Sequence, residues 1–229
     1  DRSSAASDVY KRQQIVALTL RKAPLDGEDQ GRWLDLCAGP GGKAALLGAE
    51  AAIAGATVTA VEPSHHRANL VRNACEGRPV TVVEVDGRDT GLEGGFDRIL
   101  VDAPCSGLGS LRRRPESRWR RQPSDLADLT RLQRELLISA SHLVRPGGVI
   151  AYSTCSPHLR ETEAVVRDVS VEAGLDILDA TALWPEWAQS EGAQHVTSAP
   201  FLQLWPHRHG TDAMFVSLLK RPVSPSVQK

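Results

Sequence analysis

The sequence predicts an α/β fold built on a parallel sheet, and three observations carry that expectation. Short apolar runs of strand length alternate with amphipathic stretches of helix length. The first such run, WLDLC, enters a glycine-rich turn that opens a helix. The second ends on an acidic residue, Glu62, where a doubly wound sheet meets its ligand.

The elements follow in order. Residues 1–13 show neither period nor evident role and are set apart as an irregular lead-in. A short amphipathic helix is predicted over 13–22, then a loop, then a buried strand over 32–36 ending at the glycine-rich turn. Helix 42–54, strand 57–61, helix 64–76, strand 81–85 and strand 96–101 continue the alternation. A long arginine-rich loop leads to a helix over 126–143, RPGG turns the chain, and a strand follows at 149–153. Helix 161–173, a strand near 175–179, an irregular stretch with Trp, Pro and Gly, and a final strand at 214–220 complete the pattern. No internal repeat or linker divides it, so one domain is expected over 14–221, with 222–229 as a disordered tail.

With 229 residues, 41% hydrophobic and 24% charged, the chain has the size and balance of one globular domain with a sizeable core. No apolar run approaches the roughly 18 residues that a membrane span requires, and the opening lacks the charged, apolar and small-residue order of an export signal. A soluble, cytoplasmic protein is the resulting expectation, and a monomer is taken with it. In a reducing compartment the four cysteines are expected as free thiols. With no CxxC pair and no histidine cluster nearby, they argue against a bound metal. A net charge of −1 gives no global attraction to nucleic acid. Any such contact must be local, and Arg112, Arg113, Arg114, Arg118, Arg120 and Arg121 fall together around Trp119.

In the strand-turn-helix segment WLDLCAGPGGK, glycines let the backbone approach a ligand and the helix start offers unpaired N–H groups. The spacing is neither GxGxxG nor GxxxxGK[ST], which disfavours a dehydrogenase and an ATPase. Taken alone, the turn also fits a plain strand-to-helix connection. Glu62, in VTAVEPS, is placed to accept from both hydroxyls of a ribose. Asp86, in VEVDGRD, would face the same crevice and accept from an adenine amine, or else simply cap the following turn. Together the three strand ends indicate a nucleoside-bearing cofactor.

Two further strands carry a cysteine at their carboxyl ends: Cys105 in FDRILVDAPCSGLGSLRRRPESRW and Cys155 in VIAYSTCSPHLRETE. With LDLCAGPGGK, VEPSHHR, DGRD, RLQRELL and STCSP, these segments resemble the Nol/Nop/Sun family of RNA 5-methylcytosine methyltransferases, most closely its bacterial RsmB-like branch, over residues 14–221. The resemblance implies a class I methyltransferase (Rossmann-like) fold, doubly wound and mostly parallel with an antiparallel C-terminal strand, and S-adenosylmethionine as methyl donor. It places both thiols in one pocket. The donor contacts it implies are Cys37, Ala38, Gly39, Pro40, Gly41, Gly42, Lys43, Glu62, Arg67, Asp86, Gly87 and Asp102.

The chemistry explains the pair of thiols. Carbon 5 of cytosine is a weak nucleophile until a thiolate adds at carbon 6, and after methylation the carbon 5 proton must leave before the thiol is eliminated. The resemblance assigns attack to Cys155 and release to Cys105. Asp102 is suited to the ring nitrogen or exocyclic amine, where charge develops, and by resemblance Lys43 joins it. Bland alternatives stand beside these readings: a solvated first-turn lysine for Lys43, and two small buried hydrophobes for the cysteines. Cys37 is expected to be structural or to contact ligand through its backbone, and Cys75 to lie in the core.

Arg112, Arg113, Arg114 and Arg118, with Trp119 interleaved, suit a loop that holds an RNA backbone and stacks on a base. A solvated charged loop is the alternative. The family's terminal GTDGFF-like strand appears here as GTDAMF, with a glycine and one aromatic replaced. The N-terminal RNA-binding extension of RsmB-like enzymes has no counterpart in these residues, so weak RNA affinity is expected of this stretch alone. Small-subunit ribosomal RNA is the leading expected partner and transfer RNA the second. A DNA cytosine methyltransferase would carry PCQ and leave Cys155 unexplained. A silent RNA-binding assembly factor on the same fold would have no need of the cysteines, Asp102 or the glycine turn.

Overall fold

A computed structural model of the chain describes residues 14–111, 124–185 and 200–223, together with Pro115, Trp119 and Gln122. The lead-in at 1–13, the tail from 224, and the arginines Arg112, Arg113, Arg114, Arg118, Arg120 and Arg121 lie outside the described residues.

In chain order the elements are α1 (14–22), β1 (Arg32–Asp35), α2 (Gly42–Ala54), β2 (Thr57–Val61), α3 (His65–Ala74), β3 (Val80–Val83) and β4 (Phe96–Asp102). There follow α4 (Asp125–Leu143), β5 (Val144–Thr154), α5 (Glu163–Ala173), β6 (Asp176–Leu178), β7 (Leu202–Leu204), the single turn α6 (Pro206–His209) and β8 (Met214–Lys220). The sheet is ordered β3-β2-β1-β4-β5-β8-β6, with β7 pairing a further stretch of β8. Strands β1 to β5 are mutually parallel, and β8 runs antiparallel to β5, β6 and β7.

Period-two alternation sorts the strand side chains into two layers. Leu34, Ile99, Val101, Ile150 and Tyr152 pack under α4 and α5 against Leu136, Leu137, Val166 and Val169. Trp33, Leu100, Val149 and Ala151 face the other way, toward Ile15, Val16 and Leu20 of α1 and Leu47 and Ala51 of α2. Each large apolar side chain fully buried in this way contributes about 2 kcal/mol. A buried cation locks α1 to the sheet: Arg98 pairs with Asp29 at 2.8 Å and donates to the Leu20 and Ala23 carbonyls at 2.6 and 2.9 Å.

Three details depart from the sequence reading. RPGG does not turn the chain: β5 starts at Val144, directly after α4, and absorbs RPGG in a bulge where pairing jumps from Phe96–Val144 to Arg98–Val149. Gly147 permits this at φ 78°, its N–H donating to the Arg221 carbonyl, while Arg145 reaches the buried Asp97 carboxylate at 2.6 Å. The helix expected from 161 starts at Glu163, because Leu159–Glu161 form a separate 3₁₀ turn and Thr162 sits at φ −124°, ψ −105°. The stretch read as irregular contains β7, which completes the edge of β8. No helix among the described residues is long and apolar enough to cross a membrane.

Candidate active site

Because β1, β2, β4 and β5 are parallel, their carboxyl ends lie along one edge, and the strand order reverses between β1 and β4. A ligand crevice opens at such a point. Here it is a cleft of about 500 Å³ reached by Cys37, Glu62, Asp86, Asp102, Cys105 and Cys155, each from the end of a strand or the loop just beyond it.

The half at the ends of β1 and β2 is shaped by missing side chains. An added Cβ on Gly39 would stand 2.2 Å from Glu62 Oε2, and one on Gly87 2.8 Å from Leu136 Cδ2. Gly41, at φ 112°, turns the chain into α2 and abuts Val71 and Ala74 of α3. Glu62 is nearly fully buried, with Oε1 held by Ser64 N–H and by Arg67, both at 2.8 Å. Its Oε2 is left against the bare backbone of Gly39. Asp86 lines the cleft, but Arg88 folds onto both its oxygens at 2.6 and 3.0 Å and holds its pKa down at about 2. Beneath the turn, Asp35 is fully buried, and one of its oxygens has no partner among the described residues. Burial, followed by the nearby charge of Asp102, pushes its pKa up to about 7.

In the other half, β4 and β5 are in register at Asp102 and Ser153, so the loops that follow are neighbours. The last ladder bond runs from Ala103 N–H to the Ser153 carbonyl at 2.9 Å, and Pro104, lacking an N–H, ends the strand. Beyond it the Cys105 and Cys155 sulfurs stand 3.3 Å apart. The hydrogen bond with Cys155, and then burial, hold the Cys105 thiol well above the usual thiol range. Asp102 accepts from Ser153 Oγ at 2.8 Å and pairs with Lys43 at 2.6 Å, which draws the first turn of α2 to the end of β4. Two thiols and a carboxylate, the latter backed by the Lys43 ammonium, therefore line one cleft together with Gly39 of the glycine turn and the buried Glu62.

The family model described as 16S rRNA methyltransferase RsmB/F matches residues 22–220. The chain belongs to the RsmB/F family. A putative methyltransferase of Mycobacterium tuberculosis is 57% identical to it over 208 residues, 91% of this chain and 44% of that protein. The probable ribosomal RNA small subunit methyltransferase B of Bacillus subtilis is 32% identical over 203 residues, 86% of this chain and 44% of that protein. The chain thus spans less than half the length of either relative. Among solved structures, that of NSun6 from Pyrococcus horikoshii with SFG shares the fold, with TM-score 0.73 and 22% identity over 93% of this chain and 52% of that one.

Within this RsmB/F cleft, Cys37, Gly39, Glu62, Arg67, Asp86, Gly87, Asp102, Cys105 and Cys155 all contribute to the lining. Ala38, Pro40, Gly41 and Gly42 shape the turn without lining the cleft, and Lys43 acts on it through Asp102. Cys75 is in the core beside Ala44 and Val71, as expected. Trp119 is exposed, while Arg112, Arg113, Arg114 and Arg118 are outside the described residues. Sequence reasoning missed Ser153, Asp35, the apolar wall of Leu36, Leu132 and Leu136, and a buried knot of Ser106, Gln133, Ser156 and Glu161. The Cys-Ser dipeptide repeated at 105–106 and 155–156 was the available signal for that knot.

Proposed function

We propose that this chain transfers a methyl group from S-adenosylmethionine to carbon 5 of a cytosine in RNA, with small-subunit ribosomal RNA as the leading substrate. The observation that carries the reading is the pair of sulfurs 3.3 Å apart, beside an Asp102–Lys43 pair, in one cleft with the glycine turn. The donor's chemistry fits the residues present: a turn without side chains at Gly39 and a carboxylate at Glu62 suited to two vicinal hydroxyls. When bound, S-adenosylmethionine supplies an electrophilic methyl carbon on a sulfonium sulfur. In the same reading, residues 14–221 form one catalytic domain that works as a cytoplasmic monomer.

The residues divide the work. Cys155 adds its sulfur to carbon 6, making carbon 5 nucleophilic toward that methyl. Asp102, oriented by Ser153 and Lys43, engages the ring nitrogen or exocyclic amine, and a proton relayed from the Lys43 ammonium through Asp102 to the ring nitrogen neutralises the negative charge pushed onto that edge. Cys105, as its thiolate, takes the carbon 5 proton; the freed C–H electron pair restores the ring double bond and expels the Cys155 sulfur as a thiolate. Because the hydrogen bond with Cys155 and burial hold Cys105 protonated, it must first give up its own proton to solvent before it can accept that of carbon 5.

The test is incubation with donor and either protein-free small-subunit ribosomal RNA or transfer RNA, followed by bisulfite mapping and denaturing gels. A newly protected cytosine is expected, on the ribosomal RNA first. The Cys105→Ala variant should accumulate a covalent RNA adduct and Cys155→Ala none. Unmodified RNA of both kinds, together with no donor binding by calorimetry, would leave only a silent RNA-binding factor on this fold.

A further inference from the structure

The two thiol-bearing loops are joined below the cleft by one side chain that none of the chemistry above uses. Glu161, fully buried in the 3₁₀ turn after β5, accepts on one oxygen from Ser106 N–H at 2.7 Å and Gln133 Nε2 at 3.2 Å. Its other oxygen accepts from the hydroxyls of Ser106 and Ser156 at 2.5 and 2.6 Å. Gln133 Nε2 also donates to the Pro104 carbonyl at 2.8 Å, so both neighbours of Cys105 are tied to this carboxylate or its partner. Ser156 is the residue directly after Cys155. The backbone of Glu161 is fixed in turn, its carbonyl accepting from the buried Tyr152 hydroxyl at 2.8 Å.

Among the described residues Glu161 forms no ion pair. A carboxylate buried without a cation is costly and persists only when its lone pairs are filled by donors. Here every donor it gathers belongs to a thiol loop or to the glutamine bracing one. Stability alone would be served as well by an apolar side chain of similar volume. What the carboxylate adds is a fixed distance between two loops that come from different strands.

We infer that Glu161 is a positioning residue that sets the spacing and aim of the Cys105 and Cys155 sulfurs. The inference rests on the two-thiol reading above, in which the sulfurs address adjacent atoms of one pyrimidine ring. Displacement of reacting groups by about 1 Å costs on the order of a hundredfold in rate. The Ser156 arm should govern attack and the Ser106 arm release.

The experiment measures adduct formation and turnover on protein-free small-subunit ribosomal RNA in the full chain. Glu161→Gln, which keeps the volume but loses one acceptor oxygen, should lower kcat roughly a hundredfold. Donor Kd and RNA KM should stay within about twofold, and Cys105→Ala/Glu161→Gln should form adduct correspondingly more slowly than Cys105→Ala. In otherwise wild-type protein, Ser156→Ala should lower the steady-state fraction of RNA held as adduct and Ser106→Ala should raise it. A purely structural role would not move these two in opposite directions. A double variant that forms adduct at the rate of Cys105→Ala overturns the inference alone. Failure of Cys105→Ala itself to form any adduct overturns the two-thiol reading, and the inference falls with it. If Glu161→Gln does not fold, the serine pair decides: equal effects on attack and release refute the assignment.

Discussion

Asp35 offers a test in which the magnitude follows from burial. The perturbation is Asp35→Asn. In the parent, a carboxyl that is free at about pH 4 in the unfolded chain is pushed up to about 7 in the fold, by burial first and the Asp102 charge second. Below pH 4 the group is protonated in both states and contributes nothing. Above that, the unfolded chain gives up the proton while the folded chain keeps it, so folding grows less favourable by about 1.4 kcal/mol for each pH unit until the folded carboxyl also ionises. The accumulated penalty is about 4 kcal/mol by pH 7 and constant beyond it. Asparagine lacks this penalty but sets an amide nitrogen where Asp35 Oδ2 has no partner, a pH-independent cost of about 2 kcal/mol. The variant should therefore be less stable than the parent at pH 4 and more stable at pH 8. Urea unfolding of both proteins across that range reads the difference, in which the titrations of groups remote from Asp35 cancel. Stability curves that stay parallel to within about 1 kcal/mol would refute the argument that Asp35 is held uncharged by its surroundings.

Two further outcomes follow from the geometry. Gly39→Ala, whose Cβ would stand 2.2 Å from Glu62 Oε2, should weaken donor binding by calorimetry at least about tenfold while leaving the fold intact by circular dichroism; unchanged affinity would show that the Gly39–Glu62 contact does not shape the donor site. Arg98→Met takes the cation from Asp29, which keeps its Gly31 and Trp33 donors, and removes the side-chain donor from the Leu20 and Ala23 carbonyls; it should cost about 3 kcal/mol in thermal unfolding. A loss below about 1 kcal/mol would mean that α1 is held by its apolar face alone.

What the sequence made legible was set by strand ends. Glu62, Asp86, Asp102, Cys105 and Cys155 each lie at the close of an apolar run or just beyond it, and a parallel sheet converts that one-dimensional position into a shared edge. The glycine turn was legible for a related reason, since only residues without side chains let the backbone come so near Glu62 and α3. The hidden partners are those whose meaning depends on contact across distant segments. Glu161 and Ser106 are 55 positions apart, and Gln133 sits on a helix face where a leucine would satisfy the same periodicity. The sequence pattern places Glu161 in the following helix, but Glu163 supplies an equally good acidic first turn and the helix starts there. RPGG has the composition of a turn, yet the chain spends it on a bulge, a choice made by the Asp97–Arg145 contact and not by local propensity.

The replacement in GTDAMF has a physical account in the same network. Ala213, standing where the related pattern has glycine, donates its N–H to the Gly109 carbonyl at 3.0 Å. Gly109 in turn donates to the Cys155 carbonyl at 2.9 Å, so the terminal strand's lead-in is coupled through one residue to the loop bearing Cys155. A Cβ on Gly109 would lie 2.5 Å from the Ala213 carbonyl oxygen, 2.8 Å from the Ala213 Cβ and 2.8 Å from the Cys155 carbonyl oxygen. The methyl group of Ala213 is thus accommodated because the residue facing it has none. Met214 is buried in the layer that holds Trp33 and Leu47, while Phe215 keeps ring contacts with Tyr152 and Phe201 on the opposite face of β8. The two changes that set this chain apart from the usual terminal motif therefore leave the thiol loops where the proposed chemistry requires them.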